Sequence, residues 1–192
     1  MGNFIIAAEE RLQTIRVTPG GNGAFPVEDW TRTASPYRYR LSQNIAVNLY
    51  AGCDQKYLYL GFQVEDSFLT FADDFSLDFQ GSDHLRVYFY SQGEQQPPVT
   101  LYLLPSSKIE EPLMNIQGAS WRQISITVRS FPTPQGYFLT VAIDLANFHF
   151  SSRRREIPLQ IMVNEVNKEG EAKTYWLFGA GLHDYGVLAL SR

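Results

Sequence analysis

From Tyr57 to Glu65, apolar and polar side chains largely change places from one residue to the next. Leu58, Leu60, Phe62 and Val64 fall on one side, and Tyr57, Tyr59, Gln63 and Glu65 on the other. An extended chain sends successive side chains in opposite directions, so a period of two specifies a strand with one buried face. The pattern returns at Ile45, Val47 and Leu49, and at Leu85, Val87 and Phe89 against His84, Arg86, Tyr88 and Tyr90. It appears again at Val99, Leu101 and Leu103, at Ile124, Ile126 and Val128, at Leu139, Val141 and Ile143, and at Ile157, Leu159, Ile161 and Val163. Shorter strand-like runs lie at residues 14–18, 37–41, 174–178 and 186–190. Glycine, proline and polar clusters at 19–23, 51–55, 91–98, 131–136 and 167–171 punctuate them as turns and loops. About ten strands at this short spacing, with sustained helical periodicity nearly absent, give one all-β domain over residues 1–192. Its expected form is a two-sheet, mostly antiparallel β-sandwich of jelly-roll or immunoglobulin-like type. Two segments read differently: Ala7–Gln13 as a short helix, with 1–13 as a linker or helix, and Ser106–Ser120 as an irregular surface run.

The stretch from Asp66 to Asp83 joins two of the clearest strands. It holds five aspartates among Phe68, Phe71, Phe75 and Phe79. A connection so long and so mixed in composition is the first candidate for a working part. The whole-chain charge of −4 and a pI near 5.4 argue against a general nucleic-acid partner, whose footprint is basic. The basic run Arg153-Arg154-Arg155 sits between polar residues and reads as a solvated loop. Cys53 is the sole cysteine, so no intrachain disulfide and no thiolate zinc site can form, and a buried thiol is expected. No segment has the apolar length of a membrane helix, and MGNFIIAAEERLQ lacks the basic start and apolar core of a signal peptide. The nucleophile elbow G-x-S-x-G is absent, the three histidines stand on separate segments, and the 19–23 glycines lack a phosphate-loop lysine. A binding domain, not an enzyme, is the expectation. The 24 tyrosines and phenylalanines suit strands and aromatic ligand surfaces alike.

Five segments occur in a particular order: DQKYLYLGFQVED, SDHLRVYFY, GYFLTVAIDL, IPLQIMVNEVNKEGEAKTYW and DYGVLAL. In that order and spacing, from about Trp30 to Leu190, the chain resembles the family 9 carbohydrate-binding modules and their relatives. GNGAFPVEDW stands where that family opens. The resemblance implies a non-catalytic β-sandwich that binds sugars and carries structural calcium. It implies Trp176 as one of the two tryptophans that clamp the sugar; near the other position Phe79 is the closest aromatic. Asn164, in VNE, stands at the asparagine of the family's V-N-D motif. Arg86 stands where the family has an acidic residue, a departure that bears on its reducing-end specificity.

Sugars are bound by aromatic rings stacked on their C–H faces and by planar polar groups that pair with hydroxyls. Tyr57, Tyr59, Arg86, Tyr88, Tyr102, Asn164 and Trp176 are all out of phase with the core residues of their strands. If they share one sheet face they form a ring-lined groove; the alternative is that the tyrosines pack beneath loops. The candidate ligand residues are Trp176, Arg86, Asn164, Phe79, Tyr102 and Tyr88. Asp66, Asp73 and Asp74 are the candidate calcium ligands, and a solvated acidic loop is the competing account. Two functions remain open. One is saccharide binding by an accessory domain of a larger protein. The other is an extracytoplasmic sensory or interaction domain of a membrane signalling protein, with IIAAEERLQ as the helix arriving from a membrane tether. Both place the domain outside the cytoplasm, periplasmic or secreted.

Overall fold

Among the described residues the chain forms twelve paired strands. In the computed structural model, residues 10–16, 35–72, 81–90, 97–106, 113–118, 126–148 and 155–190 are described. Their strands are β1 (Glu10–Arg16), β2 (Tyr37–Arg40), β3 (Ile45–Cys53), β4 (Tyr57–Asp66), β5 (His84–Phe89), β6 (Val99–Leu104), β7 (Leu113–Gln117), β8 (Ile126–Thr133), β9 (Gly136–Asp144), β10 (Glu156–Val166), β11 (Ala172–Trp176) and β12 (Gly186–Leu190).

One sheet runs β8-β9-β4-β3, and β2 also lies along β3. Its register puts Val47 beside Val64 and Tyr137, and Leu49 beside Phe62 and Leu139. One face of each of those strands is therefore mainly apolar. The other sheet runs β7-β6-β5-β10, where β10 is eleven residues long and serves two partners along its far edge. Residues 156–159 pair with β12, and residues 162–166 pair with β11. β1 lies parallel to β12 and, through Ile15 and Arg16, parallel to β3, so it links the two sheets along one side. Every other pairing is antiparallel. The two inner faces meet in one core that includes Leu60, Phe62, Leu85, Val87, Leu101, Tyr137, Leu139, Leu159 and Ile161. Interleaved faces of this kind are what make a sandwich stable. Cys53 is buried in that core.

Two expectations are corrected. Residues 10–13 lie in β1, not in a helix, because pairing with β12 and β3 outweighs the local helix propensity of AAEERLQ. Residues 113–117, in the run expected to be irregular, form β7 on the edge of β6, with Met114 and Ile116 turned to the core. Two turns are also shorter than their composition suggests. β3 continues to Cys53, and Asp54 Oδ1 accepts from the backbone N–H of Lys56 at 2.7 Å and of Tyr57 at 2.6 Å to make the reversal. β8 continues to Thr133, which leaves Pro134-Gln135 as the turn. Gly136, at φ +154°, brings β9 so close to β4 that a Cβ there would sit 2.0 Å from the Val64 carbonyl oxygen. Among the described residues no helix is long and apolar enough to cross a membrane.

Candidate functional site

The candidate residues gather on the face of the β7-β6-β5-β10-β11 sheet that turns away from the core. Backbone pairing arranges it in rows. One row reads Trp176, Met162, Arg86, Tyr102, Asn115 across five strands. On one side lies the row Gln160, Tyr88, Thr100, Gln117; on the other, Thr174, Asn164, His84. Five of the six expected ligand residues, from four strands, are thus gathered on one face. Phe79 lies outside the described residues.

The rows have two levels. Trp176, Arg86 and Tyr102 are partly exposed, with Thr174, Asn115 and Gln117 exposed around them. His84, Met162, Asn164 and Tyr88 lie buried beneath. Trp176 rests against Tyr88, ring centroids 5.8 Å apart and planes tilted by 36°, and the Tyr88 hydroxyl faces Met162 Sδ at 3.9 Å. Burial pushes the Tyr88 phenol up, and the Arg86 guanidinium partly offsets the rise. The guanidinium carbon of Arg86 stands 5.1 Å from the centre of the Tyr102 ring, whose hydroxyl donates to Gln117 Oε1 at 3.2 Å. Such a contact draws a cation toward the face of an aromatic ring.

The buried level is a connected network. Ser82 carbonyl oxygen accepts from Asn164 Nδ2 at 2.9 Å and lies 2.9 Å from His84 Nδ1. A carbonyl can only accept, so Nδ1 carries the proton and His84 Nε2 is left as an acceptor, which Arg86 Nε fills at 3.1 Å. Burial holds the His84 ring neutral, down to a pKa of about 4. Asn164 Oδ1 takes the Thr174 hydroxyl at 3.5 Å. Asn164 is therefore part of the floor of this face, its amide engaged by Ser82 and Thr174.

A further residue, Gln160, not singled out by any motif, is fully buried next to Tyr88. Its Oε1 accepts from the backbone of Ile161 at 2.9 Å and of Phe178 at 3.1 Å. The two N–H groups of Nε2 are shared among the carbonyls of Phe178, Asp184 and Gly181, at 2.5, 2.6 and 2.9 Å. One amide thus fastens the loop that follows Trp176 onto the end of this face. The loop folds tightly at Gly179, φ +66°, where a Cβ would meet the Asp184 carboxyl at 2.4 Å. The signal present in the sequence is a glutamine at an outward position of a strand, and many solvent-facing glutamines share it.

Tyr57 and Tyr59 point outward from the opposite sheet, so they do not join this face. Tyr59 is buried in a small cluster with Tyr50, Phe138 and Ala142, and its hydroxyl donates to Asp54 Oδ2 at 2.8 Å. Outward phase alone does not say which sheet a strand belongs to.

Of the expected calcium ligands, Asp73 and Asp74 lie outside the described residues. Asp66 is buried, and its Oδ1 accepts from the Phe68 N–H at 2.9 Å. Asp83 ties three segments together: Oδ2 accepts from Thr70 N at 2.7 Å and Oδ1 from Val166 N at 2.8 Å. Burial is the chief cause that lifts Asp83 to about 7 and Asp66 to about 6; Glu165 adds to both and Asp66 to Asp83. Among the described residues no three histidine, cysteine or carboxylate side chains come together to hold a metal ion, and Asp66 by itself does not make a calcium centre.

The sequence matches no family model and no curated protein. Solved structures do match. A family 9 carbohydrate-binding module from Caldicellulosiruptor kristjanssonii in complex with glucose aligns with 95% of this chain and 96% of its own, at 14% identity and a TM-score of 0.65. The module from that organism in complex with cellotriose aligns over 94% and 93%, at 15% identity and a TM-score of 0.62. A candidate carbohydrate-binding protein from Bacteroides uniformis aligns over 96% and 100%, at 8% identity and a TM-score of 0.58. At such identities the likeness is one of architecture, and in architecture this chain is a β-sandwich with the fold of the family 9 carbohydrate-binding modules.

Proposed function

We propose that the domain is a non-catalytic carbohydrate-binding module and that its saccharide lies along the row from Trp176 to Tyr102. A sugar ring stacks on Trp176, the Arg86 guanidinium and Tyr102 hydroxyl meet ring hydroxyls, and Asn115, Thr174 and Gln117 form the polar rim. The observation that carries this reading is the row itself, in which an indole, a guanidinium and a phenol stand in register on one face. Strands lie about 4.8 Å apart, so the three strand-to-strand steps from Trp176 to Tyr102 span about 14 Å, the length of a short oligosaccharide. Rings and planar donors on a rigid sheet suit a sugar, because little side-chain freedom is lost on binding. The solved relatives, whose complexes hold glucose and cellotriose, support the same ligand class. On this reading the domain is an accessory unit of an extracytoplasmic protein.

Calorimetric titration with glucose, cellotriose and a panel of neutral and acidic oligosaccharides tests it. At least one ligand binds the wild-type domain, and Trp176→Ala weakens that ligand about fivefold or more, since a stacked ring is worth about 1 kcal/mol. Tyr57→Ala, on the opposite sheet, leaves binding unchanged. Failure of the whole panel to bind, or undiminished binding by Trp176→Ala, refutes the reading.

A further inference from the structure

Beneath the exposed row, His84 stands two residues from Arg86 on the same side of β5, wholly buried, with each ring nitrogen assigned to one partner. We propose that His84 is the positioning residue of Arg86: its neutral ring, fixed by Ser82, presents Nε2 as the acceptor that sets the plane of the guanidinium over Tyr102. The inference rests on the saccharide reading for what Arg86 then does, and on the His84 contacts alone for how Arg86 is held.

The chemistry requires both halves of the contact. Ser82 lies two residues before β5, and its carbonyl accepts the Nδ1 hydrogen, which leaves a lone pair on Nε2 directed at the neighbouring side chain. Arginine offers an Nε–H in the plane of its fork, and lysine has no such group. A bond at Nε fixes the rotation of the whole planar group, while a bond at a terminal nitrogen leaves it freer to swing. The stack on Tyr102, at 5.1 Å, fixes the remaining tilt. Asn164 donates to the same Ser82 oxygen, so the residue that anchors His84 is itself tied to β10. The guanidinium is thus set before any ligand arrives, and preorganisation of this kind raises affinity by lowering the ordering cost of binding.

Two substitutions separate the halves. His84→Asn keeps a donor near Nδ1 for Ser82 and removes the Nε2 acceptor; His84→Gln restores an amide oxygen near Nε2. With the saccharide that binds best, His84→Asn is expected to weaken affinity about tenfold, as loss of a bond to a charged group does, and His84→Gln to recover most of that loss. In an Arg86→Lys background His84→Asn should bring no further loss. Nitrogen-15 spectra of the wild-type domain supply the second readout: His84 protonated at Nδ1 only, and an Arg86 Nε–H resonance that shifts in His84→Asn. Undiminished affinity in a folded His84→Asn, or an equal loss in the Arg86→Lys background, overturns the proposal. So does a proton on Nε2, or an Arg86 resonance indifferent to residue 84. If no saccharide binds the wild-type domain, the saccharide reading fails by itself, and the two spectra decide the role of His84.

Discussion

Gln160→Ala probes how the loop behind Trp176 is held. The side chain makes five hydrogen bonds to backbone groups, two at Oε1 and three at Nε2, with no exposure to solvent. Two N–H groups serve three carbonyls, so at a net value of about 1 kcal/mol per full bond they total about 4 kcal/mol. Truncation opens a polar space that water can enter and re-bond, so a loss of about 3 kcal/mol is expected, a large share of the roughly 5–15 kcal/mol of a folded domain. Chemical denaturation with an unchanged m-value measures it. Hydrogen exchange locates it, because the Phe178 amide loses its acceptor and should exchange much faster. Gln160→Glu sharpens the test: it keeps the size and turns an oxygen toward the carbonyls of Phe178, Gly181 and Asp184, so it should cost more than alanine. Since Leu177 N bonds Ile161 O directly after Trp176, both variants should also weaken saccharide binding. A loss under about 1 kcal/mol for Gln160→Ala, with Phe178 exchange unchanged, refutes the latch.

The remaining predictions concern the buried polar groups at the other end of the sandwich and in the core. Asp83 and Asp66 keep their protons in the folded state up to about 7 and about 6, so the stability they add is full below the ordinary carboxyl range and is lost as pH rises through those values. His84, held at about 4, acts oppositely: its contribution is full above the ordinary imidazole value and is lost as pH falls through about 4. Two carboxyls outweigh one imidazole, so the melting temperature should fall from about pH 5.5 to about pH 7.5, and Asp83→Asn should flatten the slope; a rise over that range contradicts the assignment. Tyr137, buried in the core, has a hydroxyl with no hydrogen-bond partner among the described residues, and burial pushes its phenol well up. Tyr137→Phe should therefore leave stability unchanged or raise it by up to about 1 kcal/mol, and a clear loss in denaturation would reveal a partner.

What the sequence determined by itself is local: the strands, their phase and most of their turns. Alternation sorts Leu58 from Tyr59 and Leu85 from Arg86 without knowledge of any neighbour, because a strand's two sides are fixed by its own backbone. The tertiary structure alone decided which outward sides lie together. Arg86, Tyr102 and Trp176 meet because β5, β6, β10 and β11 share a sheet, whereas Tyr57 and Tyr59, in the same phase, belong to the other. β1 and β7 likewise exist because their edges find partners, against a local composition that suggests helix and loop. The buried floor was the least legible part. Gln160, His84 and Ser82 acquire their roles from carbonyls and ring nitrogens that the fold brings within 3.1 Å, and a pattern of hydrophobicity along one chain carries no record of such meetings.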